Sequence, residues 1–99
     1  MTYWLSLGSN FYASYYLNFA VQQLEARFGK LLISPCYKTR PQGITAVNQP
    51  SFYNLVVGFT SQLSLEEVQQ ELAQLTSGLL KRKTDQAYLR ALDIDLLGC

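Results

Sequence analysis

Arg90-Ala91-Leu92-Asp93-Ile94-Asp95-Leu96-Leu97 alternates strictly: Leu92, Ile94 and Leu96 fall on one side of an extended chain, Asp93 and Asp95 on the other. One side reads as core. The other sets two carboxylates about 7 Å apart along a strand, a spacing at which they can bracket hard cations. This last strand decides the fold, because it closes a series of elements that is otherwise open to several arrangements.

Before it, Lys81-Arg82-Lys83 reads as a basic, solvated connection. Ser64-Leu65-Glu66-Glu67 has the pattern of a capping box. The stripe Leu65, Val68, Leu72 and Leu75 that follows predicts a helix, with Gly78 as its stop. Residues 52–60 alternate cleanly, with Tyr53, Leu55, Val57 and Phe59 on one side and Phe52, Asn54, Val56, Gly58 and Thr60 on the other. Residues 37–51 carry Pro41, Gly43, Asn48 and Pro50 and read as a long polar loop, a candidate for function. Leu31-Leu32-Ile33-Ser34 is a short strand, and Pro35 places it at an edge or ends it in a bulge.

Farther back, Leu17, Ala20, Val21, Leu24 and Phe28 repeat at helical spacing from about Ser14, and Gly29 suits a left-handed helix end. Residues 2–7 alternate as a first strand, which Gly8-Ser9-Asn10 turns. Phe11, Tyr12, Tyr15 and Tyr16 crowd the helix entry, either as rings packed over its end or as a contact surface for a second subunit.

The order is therefore β-α-β-β-α-β, an α+β chain. With right-handed crossovers it gives the ferredoxin-like arrangement: a four-stranded antiparallel sheet, spatially 4-1-3-2, with two helices on one face. The opposite face stays open. There Asp93 and Asp95 would lie about 10 Å from Phe52 and Asn54, two strand spacings away. Cys36 and Cys99 would sit toward opposite sheet edges, too far apart for a disulfide.

Composition narrows the chemistry. A chain of 99 residues makes one domain, spanning 1–99, and can bury somewhat more than ~60% of its unfolded surface. Hydrophobic residues at 48% against 15% charged predict an independent core. A net charge of +1 and a pI near 7.7 provide no general field for nucleic acid or an anionic membrane. There is no apolar run near the ~20 residues of a membrane span and no signal peptide, and two cysteines fit a cytoplasmic setting. With no histidine, Ser-His and Cys-His nucleophiles are excluded, and magnesium held by carboxylates is the metal site most easily built. No P-loop motif is present.

Four separated motifs carry a resemblance: Leu5-Ser6-Leu7-Gly8-Ser9-Asn10; Ser34-Pro35-Cys36-Tyr37-Lys38-Thr39 with Gly43; Gln49-Pro50-Ser51-Phe52-Tyr53-Asn54; and Arg90-Ala91-Leu92-Asp93-Ile94-Asp95-Leu96. In order and spacing they resemble the 6-hydroxymethyl-7,8-dihydropterin pyrophosphokinase family of folate biosynthesis. The resemblance implies that Asp93 and Asp95 hold two magnesium ions on ATP and that Arg90 contacts its phosphates. It also implies that Phe52 and Asn54 grip the pterin, with help from Thr39 and Gly43. ATP binding would draw on Gln74, Lys81 and Arg90. The activity implied is a transferase, an ATP-dependent pyrophosphokinase acting on small molecules, with no nucleic acid or membrane partner.

Departures from the family fall on the nucleotide side. Its G-R-x-R reads Gly78-Leu79-Leu80-Lys81, and a lysine does not give the bidentate fork of arginine. Its glutamate is Gln74, and its members continue past the D-x-D strand, so an incomplete ATP clamp is expected. The alternative is a catalytically silent pterin-binding or interaction module on the same fold, for which Tyr12, Tyr15 and Tyr16 would supply a homo-oligomer interface. RNA-recognition sheets share the strand order, but two carboxylates on the open face repel phosphate.

Overall fold

The computed structural model describes residues 1–39, 51–77, 81–83, 88–90 and 92–98. Its centre is β1 (Thr2–Ser9), which pairs antiparallel with β4 (Phe52–Thr60) on one side and β7 (Asp93–Gly98) on the other. The far edge of β4 is taken by two short strands, β2 (Leu32–Ile33) and β3 (Tyr37–Thr39), both antiparallel to it. The result is α+β with a five-stranded antiparallel sheet, so the expected count of four is corrected. The expected order survives, with β2 and β3 sharing the place of the second strand.

Helices α1 (Ala13–Phe28) and α2 (Leu65–Thr76) share one core with the inward residues of the sheet. Tyr3, Leu5 and Leu7 of β1 are wholly buried, facing Leu17, Ala20 and Leu24 of α1 and Val68, Leu72 and Leu75 of α2. Leu55, Val57 and Phe59 complete the layer from β4, and Leu92 closes it beside β7. Phe28 and Tyr3 both stack on Phe59, with centroids 4.2 and 5.6 Å away, and the Tyr3 hydroxyl donates to the Leu63 carbonyl at 2.7 Å. The buried phenol thus keeps a partner. Arg27 reaches from α1 to the Glu71 carboxylate of α2 at 2.6 Å, a half-exposed pair that adds little beyond fixing the helix angle.

The capping box is present in full. Ser64 Oγ accepts from the Glu67 amide at 3.2 Å and Glu67 Oε1 accepts from the Ser64 amide at 3.1 Å. Ser64→Ala is expected to cost about 1 kcal/mol, read as a lower denaturation midpoint. The Ser64 backbone amide, then its hydroxyl, holds the Glu67 carboxyl below its ordinary value. A depressed acid stabilises the fold above its unfolded value and loses that contribution as pH falls through the folded one. The Tm difference between the wild type and Glu67→Ala should therefore be present at neutral pH and vanish in acid.

Several local expectations are corrected. Gly8-Ser9-Asn10 is not a turn from its first residue: β1 runs to Ser9, which pairs with Tyr53. Gly29 has positive φ (85°), but its ψ of −148° is not the left-handed helical value. Leu65 stays 39% exposed instead of joining the buried stripe. Lys81–Lys83 is strand β5, paired antiparallel with β6 (Tyr88–Arg90) in a separate two-stranded sheet, not an open connection. Arg90 therefore ends β6 and does not begin the aspartate strand. The loop expected at 37–51 starts with β3; Gly43 and the rest of 40–50 lie outside the described residues, as do Gly78 and Cys99. Cys36 is a free, exposed thiol. Among the described residues no helix is long and apolar enough to cross a membrane.

Candidate functional site

The open face carries the residues that alternation turns away from the helices. Paired residues of an antiparallel sheet share a face. Asp93 pairs with Gly8 and Gly8 with Asn54, so the three form one row across β7, β1 and β4. The neighbouring row is Asp95, Ser6 and Val56. Both aspartates thus face the uncovered side, as expected, with Asp93 half-buried and Asp95 exposed. From Asp93 to Asn54 is two strand spacings, about 10 Å.

Gly8 shapes the middle of that row. A Cβ placed there would meet Asn54 Oδ1 at 2.8 Å and Phe52 Cδ1 at 3.7 Å. Both side chains of β4 therefore lie down over bare β1 backbone. On its outer side the Asn54 amide donates from Nδ2 to Thr39 Oγ1 at 2.9 Å.

Thr39 reaches that position through a bulge. Leu32 pairs with Gly58 and Ile33 with Val57, but Tyr37 pairs with Asn54 and Thr39 with Phe52. The sum of paired numbers rises from 90 to 91, so the edge holds one extra residue around Pro35 and Cys36. Odd-numbered residues after it face the side that even-numbered ones face before it. Without the bulge Lys38, not Thr39, would stand beside Asn54. Ser34 seals the break, its amide donating to the Val56 carbonyl at 2.9 Å and its Oγ accepting the Val56 amide at 2.8 Å.

Of the residues singled out from the sequence, the fold brings together Asp93, Asp95, Phe52, Asn54 and Thr39. Lys81 and Arg90, each expected at the ATP phosphates, are backbone partners across the β5–β6 hairpin. Gln74 is exposed on α2, in the helical layer opposite the open face that the carboxylates occupy. From the sequence Gly8 carries a turn reading and a place in the first motif; the signal for its role at this row is a glycine inside an alternating strand, which marks close approach of another group. Ser9 and Asn10, buried polar residues at the end of β1, carry the same two readings.

Concavities of the described surface are lined by other residues. A groove of about 460 Å³ between α1 and β4 is lined by Ala13, Leu17, Leu55 and Tyr53 with Ser14, Asn18 and Cys36 at its rim. One of about 590 Å³ lies farther along the open face over Thr2, Trp4, Val56, Leu97 and Gly98, mostly apolar. A smaller one of about 260 Å³ runs between α2 and Ile94 and Leu96 on the reverse side of β7. A fourth, of about 350 Å³, is lined by Asn10, Tyr12, Lys38 and Tyr53, so it also sets an amide beside titratable groups, but without a carboxylate.

The profile of the 7,8-dihydro-6-hydroxymethylpterin-pyrophosphokinase (HPPK) family matches residues 4–99, nearly the whole chain. The chain belongs to the HPPK family. Among curated proteins none matches it. In architecture this HPPK-family chain is similar to the C-terminal domain of the MgtC protein from Mycobacterium tuberculosis, with a TM-score of 0.50 over 96% of this chain and 85% of that one. At 9% identity that likeness concerns the fold alone. Membership supports a folate-pathway pyrophosphokinase-like function. The donor set fits it: two hard carboxylates on one strand suit magnesium, which takes few protein oxygens and completes its shell with water and phosphate. Among the described residues no group of three or more acidic, cysteine or histidine side chains offers a fuller protein cage.

Proposed function

We propose that this chain transfers pyrophosphate from ATP to 6-hydroxymethyl-7,8-dihydropterin on the open face of its sheet, releasing AMP. The observation that carries the reading is the row Asp93–Gly8–Asn54, with a polar ring clasp at one end and carboxylates at the other. In this reading Phe52 stacks on the pterin and the Asn54 amide binds its polar edge. The hydroxymethyl arm then extends over Gly8 toward β7. Asp93 and Asp95 hold two magnesium ions, whose charge offsets that of the triphosphate. Lys81 and Arg90, joined by their backbone pairing, supply cations for the phosphates. The pterin oxygen forms a bond to the β-phosphorus, the bond from that phosphorus to the bridging oxygen breaks, AMP leaves with that oxygen, and the hydroxyl proton passes to solvent. Positioning and charge neutralisation carry most of such a transfer.

Incubation with Mg-ATP and the dihydropterin, with AMP as the readout, tests the proposal. Absence of AMP above a doubly substituted Asp93→Ala, Asp95→Ala control overturns the enzyme reading. Leu79 and Lys81, which stand where the family's G-R-x-R has its two arginines, favour one other outcome: a silent pterin-binding module. Calorimetry separates the two. Pterin affinity that tightens with a non-hydrolysable ATP analogue and magnesium supports the enzyme, and affinity indifferent to nucleotide supports the module.

A further inference from the structure

We infer that Ser6 is a positioning residue for the metal site, its hydroxyl bridging the Asp95 carboxylate and the water shell of the ion held there; the inference rests on the magnesium role given to Asp93 and Asp95 above. Pairing between β1 and β7 keeps one register from Gly8 with Asp93 to Leu5 with Leu96, and shifts only beyond that, at Trp4. Ser6 therefore stands directly opposite Asp95 on the open face, with Cβ atoms about 5 Å apart, and diagonal to Asp93. Its partner on the other side is Val56, whose side chain has no polar atom. In the row Asp95–Ser6–Val56 the hydroxyl thus has one polar neighbour. Ser6 is half-buried, and among the described residues its side chain makes no hydrogen bond.

Larger side chains leave the space above this pair clear. The six-membered ring of the Trp4 indole lies over Gly58, so it is turned toward β4 and away from β7. Asn54 and Phe52 reach across only as far as Gly8. The strip from Ser6 to Asp95 is left for a hydrated ion. Magnesium held by carboxylates keeps several of its waters, and those waters donate strongly. A serine hydroxyl donates one hydrogen bond and accepts others. Here it gives its proton to a carboxylate oxygen of Asp95 and accepts from a metal-bound water. The first bond holds an otherwise exposed carboxylate in one rotamer, and the second places the water shell beside it. Threonine keeps both bonds, whereas alanine and valine keep neither.

The test titrates Mn²⁺ alone into isotope-labelled protein and reads where backbone amides broaden. In the wild type the amides of Ser6 and of residues 93–95 should broaden before the rest. The half-point should rise about tenfold in Ser6→Ala and in Ser6→Val, and return in Ser6→Thr, which differs from valine only by the hydroxyl. The magnesium concentration for half-maximal AMP release should move in parallel, with pterin affinity within twofold of wild type. A merely structural role would instead lower pterin affinity and Tm together. If Ser6→Ala does not fold, the valine and threonine variants decide. Half-points within twofold of wild type in Ser6→Val, or a loss that Ser6→Thr leaves in place, overturn the inference and leave the function standing. A wild type in which residues 93–95 do not broaden first overturns the inference and the carboxylate metal site together. If the wild type releases no AMP, the function falls, and the Mn²⁺ half-points still judge Ser6 by the same criteria.

Discussion

Asp95→Asn is expected to lower magnesium-dependent AMP release by about a thousandfold, the effect of losing ~4 kcal/mol of transition-state stabilisation. Asparagine keeps the size of the side chain and removes its charge. Asp95 is exposed on the open face, paired with Ser6, so neither the core nor the Asn54 row depends on it. Thermal stability and pterin binding should therefore stay near wild type while the dependence of rate on magnesium flattens. Asp93→Asn should be as slow, and it lies in the row that leads to Asn54, so a change in pterin affinity accompanies it. Steady-state AMP assays over a magnesium series read both. Unchanged turnover in the two variants would remove the carboxylates from the chemistry.

The second large effect concerns the core. Leu5 is wholly buried at the centre of β1, between Val57 on β4 and Leu96 on β7. Leu5→Ala leaves a cavity that backbone pairing on both sides keeps from collapsing, and should cost about 3–4 kcal/mol. Against a total of ~5–15 kcal/mol for a small domain, that is a large share of the stability. Urea denaturation should show the midpoint fall by roughly 2 M at an unchanged slope. Leu32→Ala, at a side chain 62% exposed on the sheet edge, should move it hardly at all.

What could be read from the sequence was local in character. The alternation of residues 52–60, the Ser64–Glu67 capping box and the aspartate strand each hold their signal within a few residues; the first two match their reading, and the third forms only from Asp93, with Arg90 in β6. The Pro35 bulge was also legible, because proline cannot serve both neighbours in a ladder. The shortfalls arise where pairing from a distance overrode local tendency. Gly8 and Ser9 look like a turn until Asn54 and Tyr53 arrive as partners. Lys81–Lys83 has no alternation of its own and becomes a strand only through Tyr88–Arg90. The facing of Tyr37 and Thr39 depended on a single inserted residue, which propensity does not count. The aspartates and the Phe52–Asn54 pair were legible as site residues, whereas the glycine between them was not, because its contribution is an absent atom.

Ser34, Pro35 and Cys36 also bear on how copies of the molecule behave in concentrated solution. An unbroken outer strand would offer a continuous ladder of amides and carbonyls to any neighbour. Here the ladder is interrupted after two residues, twisted, and denied a donor at the proline. The same interruption that aims a hydroxyl at the Asn54 amide thus spoils this rim as a template for fibrous stacking.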